Sequence, residues 1–535
     1  MAPRIAALVL AAAGAVGCGD DAASPQPGDD CTAHTMLGNI AGARADQTCT
    51  FFGIPYAAPP TGSRRFRPPA PAAPWGELVA DDRSRVCPQY RSSPEEYPDD
   101  REVFADEDCL YLNVWTPRVD AARRPVMVFV HGGAGRIGTA NEAMYDGAEL
   151  ASRGDAVVVT LNYRLGMLGW TELGGLDPSY AGSGNNGLRD QLAALAWVRD
   201  HITDLGGDPD NITVFGQSTG AVSISAMLAT DRPRQWMRRA ILESGSGYLV
   251  HPRAVTEGFA GLFLGNAGIS SMTELQAMST EQLLAAQDLS LGEQAGLIPT
   301  IAFAPYIDGD LVLGPVLERL ADGDARDIDL IVGNTKDEMR FFGLVNPLVF
   351  DITQDQYTPL FPAPLDSARD RVSAEYAAAP HPGTTESDAI LAMITDQGFR
   401  VPATRMAEAQ GRWRPTYAYE LQWVTDPFYG AHHSSGLPLV FGSLDVGWMP
   451  GGDAALAADR PAITEMAHAM MDAWTAFART GDPGWPAYGV PERSTMIFDL
   501  QRKVVPHPRD ELRALWDDYD FPYLALSLAP DPDAP

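Results

Sequence analysis

The sequence predicts an α/β protein built around a large, mostly parallel sheet that is flanked by helices. Apolar, β-branched runs of strand length alternate with a longer segment of helical spacing, and glycine-rich loops follow two of the runs. Such alternation is typical of parallel sheets, because each parallel pair of strands needs a crossover connection. In these sheets the functional groups are expected in loops at the carboxyl ends of the strands.

Each predicted element rests on a run of residues in the sequence. After residue 30 there is no linker rich in Pro, Gly or Ser, no repeat and no long run of like charge, so residues 31–535 are predicted to form a single domain. The runs predict strands at PVMVFV (125–130), AVVVTLNY (156–163), NITVF (211–215), DLIVG (329–333) and TYAYELQWV (416–424), and a helix at GLRDQLAALAWVRDHI (187–202).

Composition restricts the classes of function. A chain of 535 residues with 45% hydrophobic content is able to bury a large core. Its 70 acidic and 39 basic residues give a formal charge of −31, and such a surface repels phosphate backbones and anionic lipids. We therefore expect no nucleic-acid partner, and we attribute the excess charge to solubility rather than to selection of cationic substrates.

The amino-terminal residues form a targeting signal. Arg4 supplies a short basic start, and the apolar run IAALVLAAAGAVG that follows is too short to span a bilayer comfortably. Residues 1–17 are therefore predicted to be a signal peptide that is removed from an exported protein.

Cys18 follows this segment at a position that resembles the lipobox of bacterial lipoproteins. The resemblance implies lipidation of the Cys18 thiol, although the lipobox prefers Leu where Ala15 stands. Residues 18–30 are polar and acidic and lack apolar periodicity, so they are predicted to be a flexible tether. The protein is then expected to contact a membrane through its lipid alone, as an envelope lipoprotein. The alternative is an ordinary signal peptide cut nearby, which gives a freely secreted protein.

The cysteines support export. There are five, and setting Cys18 aside leaves an even number for disulfide bonds. The pairings nearest in sequence are Cys31–Cys49 and Cys87–Cys109, each closing a loop of about twenty residues and worth roughly 3 kcal/mol. Other connectivities stay open, and so does a set of free thiols in a cytosolic enzyme, which the leader argues against.

The segment NITVFGQSTGAVSISAML contains a GxSxG turn between an apolar run and a helix of small residues. A serine on a tight strand-to-helix turn projects its hydroxyl from the edge of the sheet, and the helix amino terminus adds positive potential there. Gly216 and Gly220 lack side chains that would collide across the bend. Ser218 is therefore predicted to be a catalytic nucleophile.

A second motif, HGGAG at residues 131–135, follows the predicted strand PVMVFV. It resembles the HGGG-type loop whose backbone amides form the oxyanion hole of esterases and lipases. We assign the oxyanion donors to the amides of Gly133, Ala134 and Thr219. A plain turn is the alternative; a phosphate-binding loop is disfavoured because no Lys followed by Ser or Thr closes the motif.

These motifs and others, in their order and spacing, resemble the type-B carboxylesterase family, which includes the cholinesterases. The resemblance spans about residues 34 to 520 and implies the α/β-hydrolase fold with insertions. The segments that carry it are FFGIPYAAPP (51–60), EDCLYLNVWTP (107–117), LNYRLGMLGW (161–170), GNNGLRDQLAALAWVRDHI (184–202), GGDPDNITVFGQSTGA (206–221), IVGNTKDEMRFF (331–342), GAHHSSGLPLVFG (430–442) and WTAFARTGDPGWPAY (474–488).

The resemblance also implies the partners of Ser218. It places the acid at Glu338 and, through the family pattern GAxH, the base at His433; chemistry alone leaves the adjacent His432 open as the base, and Glu338 open as a surface carboxylate. The resulting order Ser, Glu, His is the one expected of α/β hydrolases. Ser244 resembles the family's supporting serine near the triad, with an uninvolved hydroxyl as the alternative.

The predicted reaction is hydrolysis of small-molecule esters through an acyl-enzyme on Ser218, without a cofactor or metal. One alternative is a catalytically silent adhesion or binding module, because related folds serve that role. Another is a lipase or amide hydrolase that uses the same machinery.

The sequence departs from the family pattern at a few positions near these motifs. The backbone amides survive all of the changes, so we expect them to alter the shape and charge of the pocket rather than catalysis itself. The departures are Gln217 for Glu, Thr219 for Ala, Ala134 for Gly, Gly135 for an aromatic residue and Gly436 for Glu.

Overall fold

A computed structural model of the chain describes residues 31–83, 85–89, 104–293, 301–357, 369–379 and 381–518. The predicted signal peptide (1–17), Cys18 and the tether (18–30) lie outside the described residues. None of the helices in the described ranges combines the length and the apolar character that a bilayer span requires.

Ten of the sixteen described strands lie before residue 162, and the other six are spread over the rest of the chain. In chain order the described strands are β1 (Thr32–Thr35), β2 (Gly38–Ala41), β3 (Ala43–Ala45), β4 (Thr48–Pro55), β5 (Glu77–Val79), β6 (Arg85–Val86), β7 (Phe104–Ala105), β8 (Tyr111–Thr116), β9 (Arg124–Val130), β10 (Val157–Leu161), β11 (Gly207–Gln217), β12 (Arg239–Glu243), β13 (Asp329–Thr335), β14 (Thr416–Leu421), β15 (Thr495–Phe498) and β16 (Lys503–Val505).

Helices fill the connections between the central strands. The described α-helices are α1 (Ala148–Gly154), α2 (Gly166–Trp170), α3 (Asn186–His201), α4 (Thr219–Leu228), α5 (Arg253–Ala267), α6 (Met272–Ala277), α7 (Thr280–Glu293), α8 (Val316–Asp322), α9 (Gln354–Tyr357), α10 (Arg369–Ala378), α11 (Glu386–Thr395), α12 (Val401–Gln410), α13 (Leu437–Phe441), α14 (Gly452–Thr480, kinked at Asp459) and α15 (Asp510–Ala514). A π-helical turn, Asp396–Arg400, joins α11 to α12, and a 3₁₀ segment, Glu338–Gly343, follows β13.

The largest sheet among the described residues has 11 strands, in the order β16-β15-β14-β13-β12-β11-β9-β10-β8-β4-β3. Every neighbouring pair from β15 to β10 is parallel, and the strands at both flanks are antiparallel. This confirms the predicted α/β class with a mostly parallel sheet. The parallel strands all end at one edge, so the loops after them meet there.

The core lies on both faces of this sheet. Val126, Val128 and Val130 of β9 pack into the core on one face, whereas Met127 and Phe129 pack into the core on the other. Strands buried on both sides need continuous apolar runs rather than alternation, which is why PVMVFV was recognisable in the sequence.

Two predicted strands end earlier than their apolar patterns do. In AVVVTLNY pairing stops at Leu161, and the side chain of the next residue, Asn162, instead accepts a hydrogen bond from the Ala140 amide at 2.8 Å. In TYAYELQWV pairing stops at Leu421, although Trp423 is still buried in the core. An apolar run marks buried positions. In both places the buried positions continue along the chain after the strand pairing has ended.

Both predicted disulfides are present. Cys31 bonds Cys49, with Cα atoms 5.3 Å apart, and Cys87 bonds Cys109, with Cα atoms 5.0 Å apart. The first ties the start of the described chain to β4, and the second closes the segment that precedes β8. The predicted pairing is confirmed among the alternatives that the sequence left open.

Candidate active site

Ser218 occupies the tight turn between β11 and α4. Its backbone has φ 56° and ψ −128°, and its amide donates to Glu243 O at the end of β12, at 2.9 Å. A left-handed φ is strained for a residue with a Cβ atom and persists only where the surroundings impose it. The turn directs Ser218 away from the sheet, as the GxSxG motif predicts.

Gly216 and Gly220 are required by their neighbours on β9. A Cβ atom on Gly216 would lie 2.7 Å from Val130 O, and one on Gly220 would lie 2.0 Å from the same oxygen. The first turn of α4 therefore packs directly on the end of β9, which brings Ser218 beside the HGGAG loop.

His433 and Glu338 form a buried pair at the same edge. Glu338 begins the 3₁₀ segment after β13, and its Oε2 lies 2.5 Å from His433 Nδ1. The other carboxylate oxygen, Oε1, accepts from the Thr335 amide at 2.7 Å. Glu338 is fully buried, so it is not the surface carboxylate that the sequence left open.

The second ring nitrogen of His433 points to the serine turn. His433 Nε2 lies 3.0 Å from Nε2 of Gln217, the residue before Ser218. Among the described residues, the hydroxyl of Ser218 has no hydrogen-bond partner, and the side chain is partly exposed. The imidazole therefore reaches the turn that carries Ser218, but it bonds the neighbouring side chain.

His432 has a different environment. Its Nδ1 lies 2.9 Å from His433 O, and its ring packs against Phe341 and Trp448, with ring centroids 5.9 Å and 6.0 Å away. Burial lowers the pKa of His432. Its Nδ1 faces a backbone oxygen rather than a carboxylate, so the geometry favours His433 as the partner of Glu338.

The three amides that the sequence assigns to the oxyanion hole are available as donors. Within the described part of the chain, the N–H groups of Gly133, Ala134 and Thr219 have no protein acceptor. Gly133 and Ala134 have φ values of 107° and 55°, so the loop exposes consecutive N–H groups. This is the arrangement that an oxyanion hole needs, because donors must be available for the charge that develops in the transition state.

The loop that carries these amides is anchored from two sides. The Gly135 amide donates to Thr219 Oγ1 at 3.3 Å, so the hydroxyl that departs from the family pattern ties the loop to α4. At its start, His131 stacks on Tyr163 with ring centroids 4.4 Å apart, and Tyr163 Oη donates to His131 O at 2.8 Å. Burial lowers the pKa of His131 to about 4, so the ring is neutral at physiological pH.

Gln89 anchors the far end of the loop. Its Oε1 accepts from the Gly138 amide and its Nε2 donates to Gly138 O, both at 2.9 Å. A Cβ atom on Gly138 would lie 2.5 Å from His131 Nδ1, so the loop closes back on its own start.

Aromatic residues around His433 were missed by the sequence argument. Phe341, Phe342 and Phe399 have ring centroids 5.8, 5.6 and 5.3 Å from that of His433. The first two follow Glu338 in the motif KDEMRFF, which was a usable signal. Phe399 is contributed by the π-helical turn, and π turns have no sequence pattern that we could apply.

Ser244 and Glu243 lie directly beneath Ser218. Ser244 is buried with φ 53°, and its amide donates to Gly333 O at 2.8 Å. Among the described residues its hydroxyl makes no hydrogen bond to the predicted triad, so the supporting role remains a prediction. Glu243 is buried and accepts from Trp474 Nε1 at 2.8 Å, and burial raises its pKa to about 7.

Comparisons with known proteins identify the family of the chain. A model of the carboxylesterase family matches residues 29–512. Para-nitrobenzyl esterase of Bacillus subtilis (strain 168) is 35% identical over 498 residues, which cover 90% of this chain and 97% of the relative. Phenmedipham hydrolase of Pseudarthrobacter oxydans is 32% identical over 485 residues, covering 87% and 94%.

Solved structures give the same assignment. The crystal structure of a Geobacillus stearothermophilus carboxylesterase superimposes with a TM-score of 0.80 at 33% identity, and the match covers 91% of this chain and 100% of that one. The predicted α/β-hydrolase fold is therefore confirmed, and the alternative of a silent binding module is not supported. The chain belongs to the carboxylesterase family and is an ester hydrolase.

Proposed function

We propose that the enzyme hydrolyses small-molecule carboxylic esters through an acyl-enzyme on Ser218, with His433 as the general base and Glu338 as its supporting acid. The observation that carries the proposal is the contact of 2.5 Å between Glu338 Oε2 and His433 Nδ1, in a ring whose other nitrogen reaches the serine turn. Nucleophile, base and orienting acid in that order are the arrangement by which a serine is activated.

Acylation begins when the Ser218 hydroxyl reaches His433 Nε2. The imidazole takes the serine proton as Oγ attacks the ester carbonyl, and Glu338 stabilises the imidazolium that forms. The tetrahedral intermediate places its negative oxygen among the amides of Gly133, Ala134 and Thr219. Each donor in such a hole is worth about 3 to 4 kcal/mol of transition-state stabilisation. The intermediate collapses when His433 gives the proton to the leaving alcohol.

Deacylation repeats these steps with water. His433 takes a proton from the water molecule as its oxygen attacks the acyl carbonyl, and the carboxylic acid leaves as the proton returns to Ser218. Because the base must be neutral at both attacks, we expect activity to fall on acidification.

A fluorophosphonate probe tests the nucleophile directly. We expect phosphonylation at residue 218, located by mass spectrometry of the labelled peptide, and loss of activity in step with labelling. Ser152→Ala, on α1, is the matched control and should label like the wild type; its hydroxyl bonds only Glu149 O among the described residues. Active enzyme that takes no label, or takes it at another residue, contradicts the proposal.

We also propose that esters with an aromatic group are favoured. Three phenylalanine rings lie against His433, and one relative is named for para-nitrobenzyl esters and another for phenmedipham. Aromatic pairs contribute about 0.5 to 1.5 kcal/mol beyond area burial, so para-nitrobenzyl esters should exceed methyl esters of the same acid roughly 2- to 10-fold in kcat/KM. Phe399→Leu should reduce that ratio, and an equal ratio in wild type and variant would contradict the role of the ring.

Export by the signal peptide with lipidation of Cys18 completes the proposal. Two disulfides support it, because such bonds persist in oxidising compartments. The mass of the mature amino terminus should show cleavage before Cys18 and an added lipid, and Cys18→Ser should move the protein from the detergent phase to the aqueous phase. A mature chain that begins elsewhere without lipid would indicate the freely secreted form.

A further inference from the structure

The side chain of Gln217 lies between the HGGAG loop and the catalytic imidazole. It is 4% exposed, and its Nε2 lies 3.0 Å from His433 Nε2. A Cβ atom on Gly132 would lie 2.9 Å from Gln217 Oε1, so the amide passes where that glycine leaves room. The same Cβ would lie 2.9 Å from Ser218 Cβ, which places the Gln217 amide beside the nucleophile.

The hydrogen-bond donor in this contact determines the tautomer of His433. An amide nitrogen donates hydrogen bonds and does not accept them, so His433 Nε2 must be the acceptor. The ring proton then lies on Nδ1 and is donated to Glu338 Oε2 at 2.5 Å. This is the tautomer that a general base needs, but its free lone pair is bonded to Gln217 rather than to Ser218.

We propose that Gln217 is a positioning residue that holds His433 in its basic form in the free enzyme and yields the lone pair of Nε2 to the Ser218 hydroxyl before acylation. The proposal rests on the proposed function, because it assigns an exchange of partners to the same base. A neutral hydrogen bond is worth about 0.5 to 1.5 kcal/mol, so the exchange is easily reversed.

The amide group suits both charge states of the ring. Turned by half a rotation about its last side-chain bond, Gln217 presents Oε1, which accepts a hydrogen bond from the imidazolium after proton transfer. It does so without adding charge beside the base. A carboxylate, which members of the resembled family have at this position, accepts only and stabilises the imidazolium by charge as well.

Few charged or titratable groups face His433, so the effect of residue 217 on the pH dependence of acylation should be measurable. Glu338 faces it from the 3₁₀ segment after β13, and His432 adjoins it with a pKa lowered by burial. Tyr419 of β14 lies within electrostatic range of Glu338 and of Glu243, and burial raises its pKa. These groups are the same in every variant below.

Two substitutions of similar length separate the roles of the amide. Gln217→Glu should move the acidic limb of the kcat/KM profile to higher pH by about one unit, because a negative charge now favours the protonated base. Gln217→Met removes the hydrogen bond to the resting base and should raise the acylation rate at the plateau by about 2- to 10-fold. Acylation is measured as the rate of fluorophosphonate labelling over a pH series, with near-ultraviolet circular dichroism to show that each variant is folded.

Gln276→Glu is the matched control for added charge. This side chain is exposed on α6, where its Nε2 contacts Tyr180 Oη at 2.6 Å, so solvent screens the new carboxylate and the acidic limb should stay in place. An unmoved acidic limb in Gln217→Glu, or a plateau rate in folded Gln217→Met at or below that of the wild type, overturns the proposal. If the wild type is not labelled at residue 218, the proposed function itself fails.

Discussion

Each end of strand β12 carries a buried ionisable side chain, but only the one at the amino end has an oppositely charged partner among the described residues. Arg239, at the amino end, faces Asp329 at 3.4 Å and donates to Ala478 O at 2.9 Å, and Arg414 reaches Asp329 from the other side at 2.6 Å. The carboxylate of Glu243, at the carboxyl end, has no cationic partner among the described residues and accepts from Trp474 Nε1. Among the described residues, the amino end of β12 therefore pairs its buried charge, whereas the carboxyl end leaves Glu243 without an oppositely charged partner.

Strained backbone surrounds the carboxyl end of β12 and the neighbouring strand ends. Four residues with side chains adopt left-handed backbone conformations in the loops that follow the parallel strands, and each costs about 1 to 3 kcal/mol. They are Ala134 (φ 55°), Ser218 (φ 56°), Ser244 (φ 53°) and Ser434 (φ 69°). Free amides and a free hydroxyl lie among them. The carboxyl edge therefore combines backbone strain with unmet hydrogen bonds that a reacting ester satisfies.

The largest expected effect comes from removing the nucleophile. Ser218→Ala should lower kcat by roughly 10⁴- to 10⁶-fold, because the oxyanion hole and binding alone remain. The melting temperature should stay within a few degrees of the wild type, since Ser218 Oγ has no partner among the described residues to lose. Turnover of a nitrophenyl ester and differential scanning fluorimetry measure the two quantities, and normal turnover would contradict the assignment of Ser218 as the nucleophile.

The amino edge should respond in the opposite sense. Arg239→Ala removes one of the two cations beside Asp329 and the donor to Ala478 O, while Arg414 still pairs the carboxylate, so it should lower the free energy of unfolding by about 1 to 3 kcal/mol. The kcat per active site, counted by fluorophosphonate titration, should not change. A variant as stable as the wild type, or one with a lower kcat per titrated site, would show that the two edges are not separable.

Glu243 makes stability depend on pH. Its pKa is raised from 4.5 to about 7 by burial, so the folded state keeps the proton where the unfolded state has lost it. Stability is therefore expected to fall as the pH rises from about 4.5 to about 7, by about 3 kcal/mol. Chemical denaturation at pH 5 and pH 8 measures this loss. Glu243→Gln should remove most of the difference, and an equal loss in the variant would assign it to other groups.

The smallest effect is expected at the anchor of the oxyanion loop. Thr219→Ala removes the acceptor of the Gly135 amide. It should lower kcat about 5- to 10-fold with little change in KM, because all of the oxyanion amides remain but are held less firmly in place. Thr219→Ser keeps the oxygen and is the matched control. If both variants lose activity equally, the hydroxyl is not what holds the loop.

Short sequence patterns predicted the features that depend on residues close together in the chain. The buried strands need apolar runs, the turn at Ser218 needs small residues, and the disulfides join cysteines that are near in sequence. The resemblance to the type-B carboxylesterase family then implied Glu338 and His433, whose contact depends on strands ending at one edge. These features were predictable because each is required by a contact that any sequence of this fold must make.

Contacts made across the fold were not predictable in the same way. Gln217 and His433 are 216 residues apart in sequence, and their contact depends on side-chain rotamers chosen after the strands have assembled. Phe399 reaches the imidazole because a π turn shifts the register of a helix, and no apolar period encodes that shift. Sequence identified Gln217 as a departure from the family pattern, but only the assembled edge shows what it touches.

The disulfide Cys87–Cys109 supports the loop that is predicted to supply the oxyanion amides. Gln89 lies two residues beyond Cys87. Its side chain hydrogen-bonds both the amide and the carbonyl oxygen of Gly138 and so holds the far end of the HGGAG loop in place. When the two cysteines are reduced, this attachment of the loop loses its covalent support, and we expect the esterase activity to be lower than that of the oxidised protein.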